Sequence, residues 1–180
     1  MTNWGKADFT QFQELLERLN AADTDQFCQD CARELAARLL ALVIPRTPVG
    51  KTIREKDAKG KMRAVYMGGT LRRGWTAKTE AEAASGSASA GADYAKTMPV
   101  TRSGDDYQIT VINPVHYASY VEFGHRQTPG RYVPAIGKTL KQAWVNGQYM
   151  LTISEKELSD IAPALLEKKL EAFLQGVIEG

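Results

Sequence analysis

Glu122, His125 and Arg126 fall within five positions of one another in this 180-residue chain, and their types are those that run acid–base chemistry. A histidine beside a carboxylate titrates in the useful range, and a neighbouring arginine would clamp an anion. A working site also needs a nucleophile or a metal and a pocket for substrate. The plainer reading is a turn-stabilising network, in which the arginine or histidine satisfies carbonyls left open at a helix end beside Gly124. A third use is an ion pair across a subunit boundary, where charges mainly set register and partner choice.

Cys28 and Cys31 are the only cysteines, and their C-x-x-C spacing invites a redox or zinc reading. A zinc site needs four ligands, yet there is no second C-x-x-C, and His116 and His125 lie far away in sequence. Cys31 falls on an apolar helical stripe with Cys28 one turn back beside it, so both read as packing thiols in a reducing cytosol. Lys51, Arg54, Lys56, Lys59, Lys61 and Arg63 form a basic run, and such a run lining a ring lumen would attract passing phosphate. The interleaved Glu55 and Asp57, with no aromatic residue before Tyr66, weaken a stacking site for single strands. A solvated loop that orders on meeting a neighbouring protein is the favoured use. The whole surface gives no argument for nucleic acid, because 23 basic and 21 acidic side chains leave a net charge of +2.

The elements that must position these residues read as a single domain spanning 1–180. Residues 8–44 carry two helices. The first rests on Phe12, Leu15, Leu16 and Leu19, with Asp8 or Thr10 as cap; the second on Phe27, Cys31, Leu35, Leu39 and Leu42, with Thr24 as cap. Pro45 and Pro48 should stop the second helix, since neither can donate the helical hydrogen bond. Residues 50–69 read as a long exposed basic loop. Residues 70–113 read as antiparallel strands: Thr70–Lys78, with Arg72 and Arg73 facing opposite sides, then a hairpin of Met98–Arg102 and Tyr107–Asn113 around Ser103-Gly104-Asp105-Asp106. The Ala/Ser/Gly-rich stretch 79–95 is either a flexible connection or a weak helix near its start. Residues 114–151 hold a turn, a short helix and then a second helix from Val133 interrupted near Gly147. Ser154 with Glu157 forms a capping-box pair opening a helix over 154–180, which Pro163 should split. No run reaches the roughly 18 apolar residues of a membrane span, and the start MTNWGKADFTQF lacks signal-peptide character, so the product reads as soluble and cytoplasmic.

Asn113-Pro-Val-His-Tyr-Ala-Ser-Tyr-Val-Glu-Phe-Gly-His125-Arg126 begins with Asn-Pro, which forces an extended residue before a turn. That segment resembles the signature of phage tail-completion proteins typified by the tenth gene product of a lambda-like phage. Arg46-Thr-Pro-Val-Gly50, Thr70-Leu-Arg-Arg-Gly-Trp75 and Tyr132-Val-Pro134 match in order and spacing, so the likeness covers most of Phe27 to Trp144. It implies an α+β, tail-terminator-like subunit in which a small antiparallel sheet packs against a long N-terminal helix and C-terminal helices. It also implies a ring at the head-to-tail junction, with no catalysis and no cofactor. Sixfold tail symmetry favours a hexamer over a dodecamer, because each subunit then meets an equivalent surface. Implied partners are further copies of the chain, the tail tube and sheath, or connector and collar proteins, with non-specific DNA passing through the lumen and no membrane. The expected subunit interface comprises Arg72, Arg73, Tyr117, Tyr120, Glu122, Phe123, His125 and Arg126. Rival readings are a higher-symmetry collar or head-completion ring touching DNA, and a small hydrolase using Glu122 and His125.

Overall fold

The computed structural model describes residues 10–56, 60–66, 68–86, 91–134 and 137–179. Its architecture is α+β, with long helices near both chain ends and short antiparallel ladders between them. Helix α1 (Thr10–Ala21) leads into α2 (Thr24–Arg46), where Asp23 supplies the cap expected from Thr24: its carboxylate accepts the Gln26 amide at 2.9 Å. The Asp8 and Phe12 readings concern positions outside the described residues or side chains. Ala36, Leu40 and Val43 recur at helical spacing on α2 and are buried.

Pro45 does not stop α2. The helix runs to Arg46, and Thr47 closes it: its amide and its hydroxyl both bond the Val43 carbonyl, at 3.0 and 2.7 Å. A proline in the last turn forfeits only its own amide, the one that would pair with the Ala41 carbonyl, so the helix can continue past it.

Residues 50–69 are not a plain loop. Strands β1 (Ile53–Lys56) and β2 (Met62–Tyr66) pair antiparallel, with Lys56 opposite Met62 and Arg54 opposite Ala64. Thr70–Lys78 is not a strand either: Thr70–Gly74 form α3, buried through Leu71 and Gly74. Five residues cannot show a helical period distinguishable from a strand with one irregular glycine. The 79–95 stretch supplies α4 (Glu80–Ser85), capped by Thr79 Oγ1 accepting the Glu82 amide, and α5 (Gly91–Thr97), which packs on α2. The expected hairpin is present but shorter, as β3 (Thr101–Ser103) and β4 (Asp106–Gln108), so Ile109–Asn113 are not strand.

Helix α6 (Ala118–Phe123) then leads directly into β5 (Gly124–Arg126). The helix expected from Val133 to Leu151 is replaced by a long β excursion. Strand β6 (Tyr132–Val133) pairs with β7 (Lys138–Thr139), and β5 pairs with β8 (Trp144–Asn146). The Gln127 amide to the Ala143 carbonyl and the Gly130 amide to the Leu140 carbonyl tie the two ladders together. Among the described residues every ladder has two strands, so the single three- or four-stranded sheet does not form. The terminal helix α7 (Met150–Glu179) starts four residues before Ser154 and runs through Pro163 unbroken.

Helix α7 lies along α2 and α1. Phe27 and Phe173 stack at 4.5 Å, and the Arg18 guanidinium donates to the Ile178 carbonyl. The buried cluster of Leu40, Val43, Leu71, Trp75, Met98, Val115 and Met150 joins α2, α3, the chain after α5, the turn before α6 and the start of α7. No helix among the described residues is long and apolar enough to cross a membrane.

Candidate functional site

Three of the four sequence pieces singled out above, Arg46–Gly50, Thr70–Trp75 and the segment from Asn113, meet at one buried junction, while Tyr132-Val-Pro134 belongs to the β6–β7 ladder. Trp75 is buried, and its indole N–H donates to Thr47 Oγ1 at 2.7 Å. Arg72 reaches from α3 to the end of α2, donating to the carbonyls of Thr47 at 2.6 Å and Pro45 at 3.2 Å. Those carbonyls have no helical amide to accept from, and a guanidinium there also meets the negative end of the helix dipole. Arg73 turns the other way, to the Ala83 carbonyl at 2.6 Å and the Gly68 carbonyl at 3.1 Å.

Asn113 ties the signature segment to α3, donating to the Leu71 carbonyl at 2.9 Å while its Oδ1 accepts the Val115 amide. Gly74 allows that approach, since a Cβ there would sit 2.1 Å from Asn113 Oδ1. Tyr117 and Val121 line a shallow groove with Pro48, Val49, Gly69 and Leu71, bringing the R-T-P-V-G segment against α6.

Glu122, the proposed acid, is buried at 5% exposure. Its carboxylate accepts the amides of Leu151 and Thr152, both at 2.9 Å, and the Thr152 hydroxyl at 2.8 Å. It therefore caps the first turn of α7 from a different element, in the position where a negative charge is favoured. Ser154, expected to cap that helix, instead donates to the Met150 carbonyl inside it and accepts from Arg46. Glu157 pairs with Arg46 as well.

Among the described residues, His125 and Arg126 make no hydrogen bond or ion pair with Glu122. His125 sits on β5, with its Nε2 3.2 Å from the Gln127 amide nitrogen and its ring 5.7 Å from that of Tyr120. Arg126 is exposed at the strand end, opposite Trp144 on β8. Tyr120 and Phe123 project from α6 with more than half of each residue exposed, at 57% and 59%. Ile112, Tyr132, Trp144 and Tyr149 are exposed too, and sequence reasoning missed them as surface residues. For Trp144 the signal was weak, because the stretch between Gly137 and Gly147 reads equally as a broken helix or as strands.

Of the basic run, Lys51, Arg54, Lys56 and Lys61 are exposed on or beside the β1–β2 ladder. Lys59 and the Arg63 side chain lie outside what is described. Cys28 and Cys31 are free and half-buried on α2, where burial pushes the Cys31 thiol above its usual range. No group of His, Cys, Asp and Glu among the described residues could hold a metal ion.

The polar contacts of the buried junction tie backbone segments together, while Tyr120, Phe123 and Trp144 are left exposed. The family described as "Bacteriophage HK97-gp10, putative tail-component" matches residues 10–124, and this chain belongs to that HK97-gp10-like family of phage tail components. The match begins at α1 and ends where β5 begins, so Tyr132-Val-Pro134 and α7 lie beyond it. Comparison with curated proteins and with solved structures finds no match.

Proposed function

We propose that this chain is a non-enzymatic ring subunit of the neck, completing the tail of a phage or phage-tail-like particle and joining it to a connector or collar. Family membership over 10–124 is the observation that carries the reading. The side chains most suggestive of catalysis support it, because Glu122 is occupied as a helix cap and His125 faces Tyr120 and Gln127.

The subunit contact in this reading centres on Tyr120, Phe123, His125 and Arg126, extended by Trp144 across the β5–β8 ladder. Large exposed aromatics with an arginine at the rim are the composition of interface anchors. Arg72, Arg73, Tyr117 and Glu122 act one layer behind, holding α3, α6 and α7 in place. The ring is a hexamer matching a sixfold tube, with its lumen open to DNA. Negative-stain imaging of particles made without the protein tests the role: the reading expects tails of aberrant length or unjoined to the structure above, and normal finished tails would overturn it.

A further inference from the structure

The β1–β2 ladder is poorly accounted for within one subunit. Among the described residues its strands of 4 and 5 residues pair only with each other, and no other element packs substantially upon them. An isolated two-stranded hairpin is marginal in water and leaves both edges open. Its base, by contrast, is fixed: the Gly68 amide donates to Thr52 Oγ1, and Arg73 holds the Gly68 carbonyl. Gly68 also lies so close to the Gly50 carbonyl that a Cβ would stand 2.1 Å from it. The result is a tethered arm. Arg54 and Lys56, two apart on β1, share one face with Met62, and all three are exposed, as is Lys51 at the base.

A complementary surface lies on α7. Ile153, Glu157, Asp160, Ala164, Glu167, Glu171, Leu174 and Ile178 succeed one another at alternating steps of four and three, which places them in one stripe along the helix. Every one is exposed. The stripe is acidic in the middle, apolar at its ends and without a basic residue; among the described residues Glu157 alone of its acids is paired within the subunit, to Arg46. Among the described residues no element of the same subunit covers a helix face of this length, and α7 is apolar enough on its other sides to pack on α1 and α2.

We infer that the β1–β2 arm of one copy docks on the acidic stripe of α7 in the next copy, a head-to-tail contact that rests on the ring reading above. Two different surfaces on each subunit form a heterologous contact, the kind that closes into a ring. Arg54 and Lys56 meet Asp160, Glu167 and Glu171, and Met62 meets the apolar part of the stripe. Charge complementarity of this kind sets register and excludes wrong partners.

The test is a charge swap in the full chain, read by sedimentation and native mass spectrometry with circular dichroism as the check on folding. R54E/K56E and, separately, E167K/E171K should each weaken self-association at least tenfold. The four changes together should restore it. Raised ionic strength should weaken the parent assembly and the restored one alike. Self-association by the parent chain that survives both double variants would overturn the arm contact while leaving the ring reading standing. A parent chain that stays monomeric at all concentrations, and in the presence of tail tubes, would overturn both. Loss of duplex-DNA retention in R54E/K56E with self-association intact would assign the arm to the lumen and overturn the contact as well.

Discussion

Glu122 shows how a single side chain changes meaning once its surroundings are known. Its three accepted hydrogen bonds are the cap of a helix that begins 28 positions later, at Met150. Glu122→Ala should cost about 2–3 kcal/mol, since it removes a cap and strands buried amides, whereas Glu122→Gln keeps one acceptor oxygen and should cost about 1 kcal/mol. Equilibrium denaturation separates the two; an Ala variant as stable as the parent would refute the capping role. A second residue-scale prediction concerns Asp25, which the Tyr107 hydroxyl, then Gln29 and Arg102, hold below the usual aspartate range. A depressed folded-state value favours the fold above the ordinary carboxylate pKa, and this contribution is lost as pH falls through the lowered value. Tyr107→Phe should therefore move the Asp25 carboxyl titration upward in an NMR pH series. No shift would show that the hydroxyl contributes little.

At the scale of elements, long periodic segments were legible and short ones were not. α2 was legible from Phe27, Cys31, Leu35, Leu39 and Leu42, although its buried residues are the neighbouring Ala36, Leu40 and Val43. The helix ends were misread: Asp23 and Glu122 cap α2 and α7 where Thr24 and Ser154 were expected. Only one of those two caps was locally readable, because Glu122 reaches α7 through the fold. The five residues of α3 and the strands β5–β8 lie below the length at which periodicity discriminates. Signature motifs were found from their residue types, but the junction they build was not, since Trp75 to Thr47 and Asn113 to Leu71 are long-range contacts. Glycines test that junction. A Cβ at Gly147 would meet the Glu122 carbonyl oxygen at 2.2 Å, whereas Gly104 (φ +64°) has open space around it. Gly104→Ala should cost about 1–2 kcal/mol from its backbone conformation alone. Gly147→Ala should cost more, because the crossing of α6 and the β8–α7 turn must open. Thermal unfolding ranks the pair, and the reverse order would contradict this packing.

For the whole molecule, the exposed aromatics and the family assignment make one connected prediction about assembly. Tyr120→Ser with Phe123→Ser should leave the circular dichroism spectrum and unfolding midpoint of the free subunit nearly unchanged, because both side chains face outward. The same pair should weaken oligomer formation by about 2 kcal/mol or more, which is the scale of interface anchors. A stable variant that assembles as the parent does would place the subunit contact elsewhere on the surface.

The cap that α6 gives to α7 also sets where this chain can be cut and recombined. The family-matched stretch ends at Gly124, yet among the described residues the carboxylate two residues earlier finds its donors in residues 151 and 152. A graft that transplants the terminal helix onto a related body must therefore carry its first turn together with a matching carboxylate on the recipient. A fragment trimmed to the family boundary would leave the Glu122 carboxylate without its donors and expose the apolar flank that Met150 now covers.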